Sequence, residues 1–149
     1  MSAQADFRLN LVAAFSAETD LASTQVLPGP PAENQDPREC VWIASVASRF
    51  EWRSLGTAEQ LLRNRTEDAT ATVKANVYRE DPNQVHGLAV VDARVDEIVD
   101  AIVHAVAADP TVGGAVSYAL VESVSRNPVP AERGWLVDVT CQITGTNHP

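Results

Sequence analysis

Apolar residues recur at helical spacing in two segments of this 149-residue chain, and each segment is predicted to form a helix. The first helix is expected over about Asp6–Ala17 and the second over about Gly87–Ala108. In the second, seven apolar residues fall within roughly 100° of arc, which is typical of a helix packed on a core. The stripe of the first helix is Phe7, Leu11, Ala14 and Phe15. The stripe of the second is Leu88, Val91, Val95, Ile98, Val99, Ile102 and Val106.

Strict alternation of apolar and polar residues predicts strands over Ala71–Tyr78 and Trp135–Ile143. Shorter apolar or alternating runs predict four more strands, over about Thr24–Leu27, Cys40–Val46, Phe50–Arg53 and Val116–Val124. Before the last strand, the segment from Arg126 to Gly134 contains two prolines and is expected to be a hairpin loop. Two further polar segments, at about 28–39 and 56–68, are predicted to be long surface loops.

The order of these elements predicts the fold class. Strands that follow one another without crossover helices favour an antiparallel sheet, and the two helices are then expected to pack on one face of it. The sequence therefore predicts an α+β fold with a mostly antiparallel sheet. The length fits a single domain over residues 1–149.

Composition and charge exclude several classes of function. Acidic residues number 20 against 11 basic ones, and the formal net charge of −9 disfavours a general nucleic-acid or anionic-membrane binder. No apolar run is long enough to predict a membrane span, and the N-terminus lacks the pattern of a secretory signal. The two cysteines, Cys40 and Cys141, do not form a zinc-binding pair and are predicted to be buried, reduced thiols. We therefore expect a protein of the cytosol, or of an assembly built there.

The candidate chemistry of the sequence is sparse. The three histidines, His86, His104 and His148, do not pair with one another or with a cysteine at metal-ligand spacing. The sequence contains neither the serine motif of the hydrolases nor a glycine-rich phosphate loop. The prediction is a protein that is not an enzyme, with no catalytic residue, no metal and no cofactor.

Two patterns of charge are more informative. Asp92, Asp96 and Asp100 repeat every four residues along one face of the second predicted helix. The simplest interpretation is a solvated acidic flank, and the alternatives are a divalent-cation site or a negative surface that repels a partner. The only net-positive stretch holds four arginines, the residue type best suited to pairing with carboxylates across an interface: Arg49, Arg53, Arg63 and Arg65. An acidic helix and a basic segment on one small subunit favour head-to-tail association into a closed ring.

The second half of the chain resembles a known family. A helix containing residues 91–102 leads into the turn Asp109-Pro110-Thr111-Val112-Gly113-Gly114 and then into a closing pair of strands. Within residues 88–143 this succession is similar to the tail terminator, or tail completion, proteins of long-tailed, non-contractile bacteriophages. The resemblance implies a structural virion protein that forms a ring, usually a hexamer, on the finished tail tube. Such a ring ends tube polymerisation and presents the surface that docks to the connector of the head.

The resemblance also implies where the contacts lie. The two long loops are the expected contact arms, since loops on a rigid sheet carry recognition. Leu61, Leu62, Arg63 and Arg65 are expected to touch a neighbouring subunit, although the leucine pair could equally form a small cluster under its own loop. The acidic stripe is a candidate for the lumen wall, where a negative surface would let DNA pass without specific binding.

Two other functions stay open at this point. A head-completion, or stopper, protein has a similar size and also forms rings. A small α+β ligand-binding or enzyme domain is the alternative from another class, in which Trp42, Trp52 and Trp135 could line a pocket. The expected location under the favoured hypothesis is the head-proximal end of the virion tail, with assembly in the host cytoplasm.

Overall fold

A computed structural model describes residues 3–32, 39–52 and 65–147 of the chain. The elements along the chain are helix α1 (Ala3–Ser16), a 3-10 turn (Thr19–Leu21), strands β1 (Gln25–Leu27), β2 (Glu39–Trp52) and β3 (Arg65–Glu80), helix α2 (Gln84–Ala108), and strands β4 (Tyr118–Ala131) and β5 (Gly134–Asn147). The two predicted helices and the predicted strands that fall within these ranges are present.

The five strands form one sheet in the order β1-β2-β3-β5-β4. All neighbouring strands are antiparallel except β1 and β2, which run parallel over three residue pairs. Both helices contribute to the same buried cluster on one side of this sheet, which we call the helix face. The α+β prediction is therefore confirmed.

The core follows the predicted apolar stripes. Phe7, Leu11 and Phe15 of α1 are fully buried, as are Val91, Val95, Ile98 and Ile102 of α2. In β3 the odd-numbered residues from Ala69 to Val77 point into this cluster, while Lys74 and Asn76 lie on the opposite side, which we call the open face. The strict alternation that predicted this strand is thus the signature of a sheet with one buried face.

The sequence predicts two short strands between residues 40 and 53, but the structure has the single strand β2. The cause is an irregularity between Ile43 and Ser45, where Ala44 has no partner on β3. Before this bulge Val41 and Ile43 face the core, and after it the inward position shifts to Val46. A bulge inserts one extra residue and reverses the alternation, so the pattern looks interrupted although the strand continues.

The predicted hairpin loop over Arg126–Gly134 is wrong. Strand β4 continues to Ala131, and only Glu132 and Arg133 form the turn before β5. Prolines suggested a loop, but β4 is the last strand of the sheet. An edge strand needs ladder hydrogen bonds on one side only, so it tolerates Pro128 and Pro130.

The two long loops can be compared with the structure only in part. Residues 28–32 have no regular structure, and Glu39 already belongs to β2. Residues 65–68, predicted as the end of the second loop, are strand, because β3 extends to pair with β2 and β5. Residues 33–38 and 56–64 lie outside the described part of the chain.

Both cysteines are buried and reduced, as predicted. Cys40 pairs with Asn76 on the open face, whereas Cys141 pairs with Val73 on the helix face. Burial raises the pKa of the Cys141 thiol to about 11, which leaves it protonated at neutral pH. Over the residues that the structure describes, no helix combines the length and apolar character needed to cross a membrane.

Candidate assembly surfaces

The outer edge of β4 borders an apolar groove of about 510 Å³, which we call the β4 groove. Its second wall is the C-terminal half of α2, which contributes Val103 and Ala107. The strand contributes large apolar side chains that are open to solvent, and Tyr118 is 58% exposed. The exposed apolar residues of the groove are Val103, Tyr118, Leu120 and Val124. An apolar surface concentrated along an unpaired strand edge is typical of an interaction site.

A tight turn between α2 and β4 sets the relative position of the two walls of the β4 groove. The carboxylate of Asp109 accepts hydrogen bonds from the Thr111 hydroxyl and the Gly113 backbone N–H, both at 2.7 Å. These two bonds also hold the pKa of Asp109 below its ordinary value. Val112 has a φ of 48°, a left-handed conformation that β-branched residues rarely adopt. It is held there because its side chain is buried and its carbonyl accepts a 3.1 Å hydrogen bond from the Asn10 side chain of α1.

A second, smaller depression of about 360 Å³ lies between α1 and β2, toward the opposite edge of the sheet. We call it the α1 depression; its lining is Gln4, Ala5, Arg8, Leu9 and Val46. Leu9 is half exposed, and Val46 lies on β2, beyond the stretch that β1 covers. Because β2 and β4 lie toward opposite edges of the sheet, the two surfaces border opposite edges, and they share no lining residue.

Most of the sequence-predicted contact residues cannot be placed. Arg53, Leu61, Leu62 and Arg63 lie outside the described residues, and Arg65 is described only as the first residue of β3. Arg49 is an exposed residue of β2 and shares a row of the sheet with Asp68 on the open face. The structure therefore places two of the predicted arginines, Arg49 and Arg65, on strands.

The predicted acidic stripe lies on the flank of α2 that faces β4. A guanidinium nitrogen of Arg126 is 2.8 Å from the carboxylate of Asp96, and another is 3.8 Å from that of Asp92. Asp100 is exposed and forms no ion pair with the residues that the structure describes. Two of the three negative charges are thus shared with one arginine that the sequence placed in a loop.

The opposite flank of α2 carries a buried ionic cluster that the sequence did not reveal. The carboxylate of Glu39 accepts hydrogen bonds from Arg94 of α2 at 2.9 Å, from the Thr24 hydroxyl at 2.8 Å, and from Arg79 of β3. Burial by itself would raise the pKa of Glu39, but the hydrogen bonds from Arg94, Thr24 and Arg79 outweigh it and lower the pKa to about 2. The cluster fastens α2 to β2 and β3.

The histidines and tryptophans form no shared site in the described residues. The imidazole of His86 lies 2.7 Å from Asp81, and that of His104 lies 2.9 Å from Glu18. The Trp135 indole donates to the Gln84 carbonyl on the helix face, whereas Trp42 lies on the open face. Trp42 and Trp135 therefore cannot line one pocket, while His148 and the Trp52 side chain lie outside the described residues. No group of three metal-binding side chains occurs within 3–32, 39–52 and 65–147.

No protein-family model matches this sequence, and no curated protein is significantly similar to it.

Proposed function

We propose that this protein is a structural subunit of a long, non-contractile phage tail, and that a ring of its copies caps the head-proximal end of the tail tube. The observation that carries the proposal is the pair of different surfaces toward opposite edges of one sheet, the apolar β4 groove and the more polar α1 depression. Two unlike surfaces on one subunit suit head-to-tail contacts, and such contacts close into a ring when the rotation between neighbours allows it. A hexamer is the number implied by the resemblance.

The proposed mechanism is one of surface geometry. The end of a growing tube exposes the interface that would recruit the next tube subunit. A ring that covers this interface ends growth, and its other side offers a new surface to the connector of the head. A subunit with a net charge of −9 does not retain the DNA that passes through, because it repels the phosphates.

The proposal is tested by measuring the mass of the purified protein by light scattering and imaging it, with and without tail tubes of the phage that encodes it. We expect a ring of defined mass on the tube ends. A chain that stays monomeric at high concentration and also ignores the tubes contradicts the proposal.

Variants make this test specific. Val124→Glu places a charge in the β4 groove and is expected to abolish assembly. Val85→Glu is the matched control, because Val85 is 84% exposed at the start of α2 and lines neither surface. Loss of assembly in both variants, or in neither, would remove the support that the groove gives.

The phenotype of a phage that lacks the gene distinguishes the terminator function from the stopper alternative. Loss of a terminator leaves overlong tails, since tube growth is not ended. Loss of a stopper instead leaves heads that leak DNA beside tails of normal length.

A further inference from the structure

The two edges of the sheet are open over stretches that match each other. Strand β1 covers only Cys40–Trp42 of β2, and no other described strand pairs with the outer edge of β2 beyond that point. Strand β4 is the opposite edge, and its first half contains no proline before Pro128. Each edge therefore presents backbone groups that can pair with a further strand.

The two open stretches lie at the same level along the strands. One row of the sheet runs from Ser45 through β3 and β5 to Ser123, and another runs from Arg49 to Tyr118. Residues 43–49 of β2 therefore share their rows with residues 118–124 of β4. Trp42, the first residue beyond this stretch that β1 covers, shares a row with Ser125 of β4, which lies just before Pro128.

The directions of the strands also match. Three antiparallel steps separate β2 from β4, so the two edge strands run in opposite directions. If a second copy is placed beside the first by rotation about an axis parallel to the strands, its β2 meets β4 of the first copy as an antiparallel neighbour. That arrangement keeps the helix faces of both copies on the same side of the joint sheet.

Apolar side chains line both edges at the same level. Val46, in the α1 depression, shares a row with Val121, which lines the β4 groove. Leu9, which lines the depression, is 50% exposed, and Val124, which lines the groove, is 38% exposed. Exposed apolar side chains at the same level of the two edges favour contact between copies.

We propose that residues 118–124 of one copy pair in antiparallel fashion with residues 43–49 of the next copy, so that the sheet continues around the ring. The exposed Leu9 of the second copy then faces the β4 groove of the first. Since the matched stretches lie at one level, neighbours join without displacement along the strands, and the assembly closes rather than growing as a helix. This inference rests on the proposed ring and identifies the strand edges through which neighbouring copies join.

Cysteine cross-linking of rings assembled on tail tubes tests the pairing. Ser45→Cys combined with Ser123→Cys places the two thiols in one row, and both positions are exposed. Within one chain, three strand spacings separate them by about 14 Å, which excludes an intramolecular disulfide. Between paired copies they lie directly opposite each other, within the range of a disulfide.

On mild oxidation we expect the monomer band to disappear from non-reducing denaturing gels. It should give way to a ladder that stops at the subunit number of the ring. Ala47→Cys with Leu120→Cys, in another shared row, is a second pair in case the first variant folds poorly. The control is Ala47→Cys with Ser125→Cys, whose positions lie four rows, or about 13 Å, apart along the strands and should stay monomeric.

The outcomes separate this inference from the proposed function. Rings on tube ends in which neither same-row pair cross-links would overturn the edge pairing and leave the capping function standing. Equal cross-linking of the control would overturn the register. A wild-type chain that forms no ring at all would refute both.

Discussion

Helix α2 is bound to the sheet by arginine–carboxylate contacts on both flanks, and the two flanks differ mainly in burial. On the β2 side, the Glu39 carboxylate is 8% exposed and the Arg94 side chain 16%. On the β4 side, Arg126 and Asp96 are 35% and 64% exposed, although their 2.8 Å contact is as short as those of Glu39. The distance between nitrogen and oxygen alone therefore does not show which of these contacts contributes more to stability.

The difference assigns separate roles to the two flanks. A buried carboxylate that loses its partners is costly, while an exposed pair contributes little because water and salt screen it. The β2 flank is thus the fixed attachment of α2. The β4 flank leaves the helix surface and the neighbouring strand edge open to solvent, where a second molecule can bind.

The largest effect is expected from Glu39→Gln. This change leaves Arg94 and Arg79 without their shared buried anion, and we expect the free energy of unfolding at pH 7 to fall by about 3 kcal/mol. Urea denaturation measures it. Glu97→Gln is the matched control, since Glu97 also contacts Arg94 but is 60% exposed, and it should cost less than about 1 kcal/mol. Equal losses in both variants would contradict the contrast between buried and exposed pairs.

The same carboxylate predicts a pH dependence. Its pKa is about 2 in the folded state against an ordinary value of 4.5. Because the folded-state value is the lower one, the unfolded chain binds more protons between the two, and stability is lost as the pH falls from about 4.5 toward 2. The loss amounts to about 3 kcal/mol at most. Urea titrations across this range should show the free energy of unfolding of the wild type falling with pH. The same pH dependence in Glu39→Gln would refute its assignment to Glu39.

A smaller effect is expected on the other flank. Arg126→Met keeps the apolar stem but removes the contacts with Asp92 and Asp96, and should lower the free energy of unfolding by less than about 1 kcal/mol. Since the pair is exposed, the difference from the wild type should vanish in about 1 M salt, where the screening length falls to roughly 3 Å. A loss that persists at high salt would indicate a packing role for Arg126.

The smallest effect is expected from Asp100→Asn. Asp96 lies four residues earlier on the same face, so this change removes a like-charge repulsion and should stabilise the protein by a few tenths of a kcal/mol. Asp96→Asn provides the comparison, because it also removes a partner of Arg126 and should not stabilise. Thermal unfolding at low salt measures both, and a destabilising Asp100→Asn would show that Asp100 has a favourable contact.

The sequence predicts best those elements whose pattern has a single cause. Helix α2 and strands β3 and β5 each bury one face, so their periodicity is unbroken. The bulge at Ala44 and the prolines of β4 break the pattern for reasons that depend on the partner strand. Pro128 and Pro130 are compatible with an edge strand as well as with a loop, and the local sequence does not separate the two.

The candidate surfaces were harder to predict, because their residues meet only in three dimensions. The Glu39 cluster joins Thr24, Arg79 and Arg94, which are far apart in the chain. The β4 groove depends on the edge position of a strand that was predicted to end at Val124. The acidic repeat was visible, but its partner Arg126 was not, because the segment that holds it was predicted to be a loop.

The hydrogen bond from Asn10 to the Val112 carbonyl has a consequence for how the two candidate surfaces are connected. Asn10 follows Leu9 of the α1 depression, and Val112 lies in the turn that leads into β4. One amide therefore connects α1 to the turn that leads into the strand bordering the β4 groove. The two candidate surfaces of the subunit are thus joined by a hydrogen bond between α1 and the turn before β4.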